Sequence, residues 1–287
     1  MQQVPISLIT LIAGVLIGAV SLWTGQQTEV LFPVQASEQA PLVDNFYSIM
    51  LTIGTALLLI VQGAIVISLF KFRRRRGDNG DGLPIEGNFA LEVFWTAIPA
   101  LIVIALGIYS VDIFQQMGGF SAGQSNHLAY HSNHAIAATL TPDRNQKLDK
   151  IGLGGNSNHS HKPVDLEVNV TGMQFAWIFN YPDAEITSGD LHVPIGADVK
   201  LNLVATDVIH SFWIPQFRIK QDVIPGQPTE LRFVATKTGT YPVVCAELCG
   251  GYHGSMRTQV IVHTPEEFQD WLTTNQVAEN NSSSVDI

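Results

Sequence analysis

Cysteine and charge are the two things this chain has least of. Two cysteines in 287 residues exclude a disulfide-stapled scaffold, and the paired C-x-x-C spacing of a structural zinc ribbon is missing. Charged residues make up only 14% of the chain, against roughly a quarter in soluble proteins, which is low for a soluble protein of this length. Basic residues are scarcer still: fifteen Lys and Arg face twenty-five Asp and Glu, for a net charge of −10. Five of those fifteen sit in one cluster, Lys71-Phe72-Arg73-Arg74-Arg75-Arg76, which leaves no broad basic surface for a nucleic acid.

What is present instead is hydrophobic sequence, 46% of the chain, concentrated towards the N-terminus. Phe46 to Phe70 runs 25 residues without a charge, long enough to cross a bilayer. The basic cluster that ends it is a positive-inside signal, which puts the 71–88 loop on the cytoplasmic side. A second apolar stretch, Val93 to Val111, is interrupted by Thr96, Pro99 and Ser110, and proline is tolerated where neighbouring helices satisfy the freed carbonyl. Residues 41–117 therefore read as a transmembrane helical hairpin that sends everything after it outside. Glu92, at the start of the second helix, reads on its own as a carboxylate favoured by the helix N-terminus.

Residues 1–40 hold another apolar segment, Val4 to Trp23, which is either a retained signal anchor or a signal removed near Val34-Gln35-Ala36. Its length and its distance from those small residues favour retention. Residues 118–162 form an insertion rich in His, Gly, Ser and Asn, without sustained apolar periodicity. Its histidines, His127, His131, His134, His159 and His161, are a metal-binding tract or, more simply, part of a polar loop.

From residue 163 the period changes to that of strands. Val164, Leu166, Val168 and Val170 alternate with polar residues, and Val199-Leu201-Leu203, Leu231-Phe233 and Gln259–His263 repeat the pattern between turn residues. Several short strands across residues 163–276 predict an all-β sandwich or small Greek-key barrel. Thr264-Pro265-Glu266-Glu267 opens a closing helix with Phe268, Trp271 and Leu272 on one face, and residues 277–287 read as a disordered polar tail.

The densest chemistry lies at 245–256: Cys-Ala-Glu-Leu-Cys-Gly-Gly-Tyr-His-Gly-Ser-Met. Cys245 and Cys249, with His253 and Met256, form a soft donor set suited to copper and unsuited to magnesium or calcium. His210 adds an upstream imidazole in Asp207-Val208-Ile209-His210-Ser211. Two sulfurs can bridge two metal ions, leaving one histidine for each. A disulfide and a zinc site remain the alternatives on ligand chemistry alone. A mononuclear blue-copper site leaves the second cysteine surplus.

The pattern C-x-E-x-C-x-x-x-H-x-x-M, preceded by D-V-x-H-S, resembles subunit II of cytochrome c oxidase. Lys220-Gln221-Asp222-Val223-Ile224-Pro225-Gly226 matches its K-x-D-x-I-P-G segment, and Leu91-Glu92-Val93-Phe94-Trp95-Thr96-Ala97-Ile98-Pro99 resembles its second helix. The resemblance spans about residues 42–275 and is similar in its long insertion to cyanobacterial members. It implies a cupredoxin-like fold carrying a dinuclear, mixed-valence copper centre (CuA) held by His210, Cys245, Cys249, His253 and Met256, with the Glu247 backbone carbonyl. It further implies that the Glu247 side chain reaches a magnesium shared with subunit I, and that Glu92 stands at the mouth of a proton channel.

The same resemblance implies a role. Electrons from a soluble donor, a c-type cytochrome or plastocyanin, pass through the copper pair to the haem–copper site of subunit I. Oxygen is reduced there, with proton translocation, and subunit III is a further partner. Haems belong to the partner subunit alone. The host is a bacterial-type plasma or thylakoid membrane, with the copper domain on the periplasmic or lumenal side. Residues 113–287 carry ten Lys and Arg against seventeen Asp and Glu, a balance of −7 that favours a basic donor, with Asp183, Glu185, Asp190 and Asp207 as docking candidates. The family's G-x-Q-W-x-W reads Gly172-Met173-Gln174-Phe175-Ala176-Trp177 here, so Phe175 replaces the electron-accepting tryptophan and Trp177 holds the second place. Two other readings stand beside this one: a copperless quinol-oxidase subunit II, which the intact ligand set opposes, and a free-standing, membrane-tethered copper carrier.

Overall fold

A computed structural model describes residues 5–74, 77, 84, 86–119, 151–153 and 164–282, with backbone alone for 151–153 and 277–282. In chain order the elements are α1 (Ile6–Gly25), α2 (Thr28–Leu31), α3 (Ala40–Lys71), α4 (Phe89–Gln116), β1 (Ile151–Leu153), β2 (Leu166–Met173), β3 (Ala176–Tyr181) and β4 (Ile186–Ser188). They continue with β5 (Leu191–Pro194), β6 (Asp198–Ala205), β7 (His210–Ile214), β8 (Ile219–Val223), β9 (Thr229–Val234), β10 (Gly239–Cys245), β11 (Arg257–His263) and α5 (Pro265–Ser282). They fall into two compact units, residues 1–34 with 42–113, and residues 35–41 with 114–287.

The first unit is helical. α1, α3 and α4 are each long and apolar enough to span a bilayer, with mean hydropathy of 2.3, 2.3 and 2.2. Lipid offers no partner to a backbone amide, so apolar runs of this length close their hydrogen bonds internally as helix. α3 and α4 extend beyond the charge-free runs read from the sequence, because Asp44, Glu92 and Asp112 fall near helix ends, where charge reaches the interface. α1 meets α3 through a small residue: Gly25 accepts a hydrogen bond from Ser48 Oγ (2.7 Å), and a Cβ on Gly25 would run into Thr52 Oγ1. Close backbone approach of this kind is how apolar helices associate in lipid. Phe46 of α3 and Tyr109 of α4 meet edge to face at 5.5 Å.

The second unit is a two-sheet β-sandwich, ordered β1-β9-β6-β2-β3-β4 and β5-β11-β10-β7-β8. The period-2 pattern sets which side chains face inward: Val168 and Val170 on β2, Val199, Leu201 and Leu203 on β6, Leu231 and Phe233 on β9, and Val260 and Val262 on β11 are all buried. Phe179, Phe212, Ile214 and Phe217 fill the space between the sheets. Asp198 and Arg232 form a two-pronged ion pair (2.6 and 2.5 Å) across β6 and β9.

Residues 35–41 belong to this unit. Ala36 is fully buried; its N–H donates to the Gln216 carbonyl (3.1 Å) and its carbonyl accepts from Thr236 N–H (2.9 Å). Of the small-residue segment Val34-Gln35-Ala36, the last two residues therefore belong to the β-domain.

Two expectations differ from the structure. The insertion contributes a strand, β1, paired in parallel with β9; three residues are too few to show a period. The five insertion histidines lie outside the described residues. α5 runs to Ser282, past the expected start of a disordered tail at 277, since nothing from Val277 to Ser282 is Gly or Pro. Its start is a reciprocal cap: Glu267 N–H donates to Thr264 Oγ1 (3.3 Å) and Thr264 N–H to Glu267 Oε2 (2.9 Å), with Pro265 at the first helical position. Trp271 of α5 stacks on His192 (4.1 Å), whose Nδ1 lies 2.8 Å from His263 Nε2 in a nearly coplanar ring pair.

Candidate metal centre

β10 and β11 form a hairpin, and its loop is the 245–256 run. Cys245 closes β10, where it pairs with Phe212 of β7; Met256 immediately precedes β11. The base of the loop is shut by Cys245 N–H donating to the Met256 carbonyl (3.0 Å). Ala246 N–H donates to the Ser211 carbonyl (2.9 Å), fastening the loop to β7 one residue beyond His210. Ser211 is held in turn by its hydroxyl, which donates to Asp222 Oδ1 (2.7 Å), an oxygen that Lys220 also engages (2.7 Å). The K-x-D segment thus steadies the strand that presents His210. These contacts and the Lys220 ammonium hold the Asp222 carboxyl below the usual carboxylate range.

Five side-chain donor atoms converge above that base. Cys245 Sγ and Cys249 Sγ are unbonded and 3.9 Å apart. His210 Nδ1 lies 3.9 Å from Cys245 Sγ, and His253 Nδ1 lies 3.5 Å from Cys249 Sγ, so each imidazole attends a different sulfur. Met256 Sδ is 3.6 Å from Cys249 Sγ, and the Cys245 thiol points at the Glu247 carbonyl (3.3 Å). Metal–thiolate bonds of about 2.3 Å and metal–imidazole bonds of about 2.0 Å allow two donors on one ion to lie up to about 4.3–4.6 Å apart. Each of these neighbouring separations is within that limit, and His210, Cys245 and Cys249 offer donor atoms all within 4.8 Å of one another, so the donor set suits a soft metal. Burial, reinforced by the neighbouring Cys245 thiol, pushes the Cys249 thiol up, so a bound cation is what would favour its thiolate.

His210 is wholly buried, and its orientation is set from behind. Its Nε2 bonds Asp207 Oδ1 at 2.8 Å. A carboxylate only accepts, so Nε2 is the donor, and in the neutral ring the bare nitrogen is Nδ1, which faces the sulfurs. Asp207 also accepts from Gln174 N–H (2.6 Å) and Val208 N–H (2.7 Å). Desolvation pushes the Asp207 carboxyl upward, but the hydrogen bonds from His210, Gln174 and Val208 outweigh it and leave a net lowering. Gln174 Nε2 reaches the Cys249 carbonyl (2.5 Å) and so ties the β2–β3 turn to the loop.

The aromatic candidates occupy different places. Trp177 is buried beneath the centre, edge-on to His210 (5.9 Å) and Phe212 (5.2 Å). Gly172 makes room for it: a Cβ there would come within 2.8 Å of the indole. Phe175 lies at the surface of the loop, edge to face with Tyr252 at 5.5 Å. Glu247 and Tyr252 are exposed. Glu92 belongs to the helical unit, in the first turn of α4, where Asn88 Oδ1 caps Leu91 N–H (3.2 Å).

Three contributors escaped the sequence reading. Gln174 stood inside the quoted G-x-Q motif and Asp207 inside D-V-x-H-S, yet neither was read as a support of the site. Tyr252, an aromatic residue beside a candidate ligand, was the available signal for the third.

An antiparallel–parallel β-sandwich, a thiolate–imidazole–thioether cluster on one hairpin loop and three bilayer-length helices together define a membrane-anchored, cupredoxin-like protein. Residues 22–113 match the family described as "Cytochrome C oxidase subunit II, transmembrane domain", and residues 187–263 match "Cytochrome C oxidase subunit II, periplasmic domain". Cytochrome c oxidase subunit 2 of Thermostichus vulcanus is 60% identical over 96% of this chain and 88% of its own length. The protein of the same name from Synechocystis sp. is 45% identical over 100% and 88%. The solved periplasmic domain of subunit II of cytochrome oxidase of Bradyrhizobium japonicum superposes with a TM-score of 0.39, at 31% identity over 40% of this chain and 96% of that one. The chain belongs to the cytochrome c oxidase subunit II family. It is an integral membrane subunit of an oxidase, with its β-domain on the periplasmic side, and the reading as a free-standing carrier falls away.

Proposed function

We propose that this chain is the electron-accepting subunit of its oxidase, receiving electrons at a dinuclear copper centre and delivering them towards the haem–copper subunit. The observation that carries the reading is the convergence of two unbonded thiols, two imidazole Nδ1 atoms and one thioether within 3.5–3.9 Å of one another's nearest partners. His210, Cys245, Cys249, His253 and Met256 would hold the two coppers, with the Glu247 carbonyl as a further donor. Held by the Cys245 and Cys249 thiolates and the His210 and His253 imidazoles, such a pair would supply one-electron transfer.

The chain's own residues do the rest. The rigid sandwich keeps the donors fixed between oxidation states, and Asp207 holds the His210 imidazole in the tautomer that presents Nδ1. Trp177 and Phe212 exclude water from beneath the site. The Glu247 side chain, exposed on the loop, is free to reach a magnesium shared with subunit I. Glu92 would serve as a proton-accepting carboxylate at the membrane interface. A c-type cytochrome or plastocyanin is the donor consistent with an acidic domain, and Phe175 is the candidate contact.

The test is oxygen uptake by membranes carrying the whole oxidase, driven by a reduced c-type cytochrome. Cys249→Ser is expected to abolish uptake while subunit content, followed by immunodetection, stays the same. Uptake at the parent rate in that variant sinks the reading.

A further inference from the structure

The loop that carries Cys249 and His253 also carries an aromatic side chain that the copper chemistry does not use. Tyr252 is 71% exposed, and its ring rests against one neighbour. It meets Phe175 edge to face, with ring centroids 5.5 Å apart and planes at 74°. Its backbone is pinned as well: the Tyr252 carbonyl accepts from Ser255 N–H (2.9 Å), opening the short 3-10 turn His253–Ser255. An exposed aromatic ring already packed against a neighbour is suited to contact, since it loses less side-chain entropy on binding than an unpacked one.

Both members of the pair lie close to the candidate ligands. Tyr252 is peptide-bonded to His253, whose Nδ1 faces Cys249 Sγ at 3.5 Å. Phe175 lies over Gly250, the residue after Cys249: a Cβ on Gly250 would stand 3.1–3.2 Å from its ring, and the φ of +135° there is one that glycine tolerates. Of the two rings Phe175 is the more covered, and Tyr252 forms the outer face of the pair. Asp207 adds a fixed negative charge alongside, bonded to the amide of Gln174, the neighbour of Phe175.

We propose that Tyr252 is the principal contact residue for the electron donor, which is a positively charged one-electron carrier protein that seats an apolar patch on the Tyr252–Phe175 pair. This rests on the reading of the loop as an electron-accepting copper centre. Charge complementarity selects the occupant: residues 113–287 carry ten basic against seventeen acidic side chains, and Asp207 hydrogen-bonds the amide of Gln174 beside Phe175. One electron leaves the reduced carrier and one arrives at the site; the two rings stay closed-shell and serve as packed matter between them. Tyr252 thereby takes over the outer contact that a larger indole at position 175 would otherwise provide.

The experiment compares the parent oxidase with Tyr252→Ala and Tyr252→Phe, using a basic c-type cytochrome as the probe. Two quantities are read: the second-order rate of reduction of the copper centre, and the affinity of the ferric cytochrome for the metal-free full-length chain. Truncating an aromatic anchor is expected to lower both by about tenfold or more, and phenylalanine is expected to restore both to within about twofold. The visible and EPR spectra of copper must be unchanged in both variants. An unaltered rate and affinity in Tyr252→Ala overturn the proposal, as does a loss that comes with an altered copper spectrum, because Tyr252 would then only be packing the loop. Absence of a copper spectrum in the parent oxidase is a different failure, which removes the copper reading itself and this proposal with it.

Discussion

Asp207→Ala isolates the support behind His210. The carboxylate accepts three hydrogen bonds, and their environments differ. Gln174 and Val208 are exposed, so water replaces the lost acceptor for their amides at little cost. His210 is completely buried, and its Nε2–H would lose its carboxylate where water does not reach. Leaving a buried donor unsatisfied costs about 1–3 kcal/mol. That range equals a loss of about 5- to 150-fold in an equilibrium constant, and loss of an outer partner of a metal-bound histidine typically weakens metal affinity by about 10–100-fold. Two independent lines of reasoning thus give the same expected size. The assay is a copper titration of the full-length chain in detergent against a chelator of known affinity, with far-UV circular dichroism confirming the fold. Asp207→Asn keeps a carbonyl acceptor in place and is expected to lose less than Asp207→Ala. Parent affinity in Asp207→Ala, or equal losses in the two variants, would refute the argument that the hydrogen bond to His210 is what matters.

Three further outcomes follow from other parts of the molecule. Gly250→Ala places a methyl 2.8 Å from Gln174 Nε2 at φ +135°, so the loop should lose about 1–3 kcal/mol, read as a lower unfolding temperature with weaker copper retention. Burial and the nearby His263 hold His192 down to about 4 against the pull of Asp190, while burial lowers His263 against the pull of Glu267. A histidine depressed below its unfolded value of about 6.5 contributes stability that is present above that pH and is lost as pH falls through the folded value. The β-domain should therefore soften between about pH 6.5 and 4, and His192→Phe, which can still stack on Trp271, should flatten that slope in thermal unfolding scans. Gly25→Leu drives a side chain into Thr52 and the Ser48 carbonyl, and should loosen α1 from α3, seen as faster proteolysis of the N-terminal helix.

Much of this architecture is written in local pattern. The alternation of Val168 and Val170 with polar neighbours, and of Val199, Leu201 and Leu203, gave strands whose inward faces are those residues. Hydrophobic length gave the spanning helices, although not the extra turns at their ends, where polar residues continue the helix into the interface. The spacing of Cys245, Cys249, His253 and Met256 brings these residues together because a hairpin loop is itself local. What pattern does not encode is pairing across distance. The bond from Gln174 to Cys249 joins residues 75 apart, and the β1–β9 ladder joins Ile151 to Thr229 with three residues per strand. Asp207 lies only three residues from His210, yet its role depends on a turn that brings the carboxylate behind the ring, and no periodicity signals such a turn.

The measurement closest to the central claim is the copper content and low-temperature EPR spectrum of the full-length chain, purified in detergent and loaded with copper. Two coppers per chain and a seven-line hyperfine pattern, both lost in Cys245→Ser, are the expected result. One copper per chain with a four-line spectrum, or no copper at all, would contradict the assignment of these five side chains to a shared dinuclear centre.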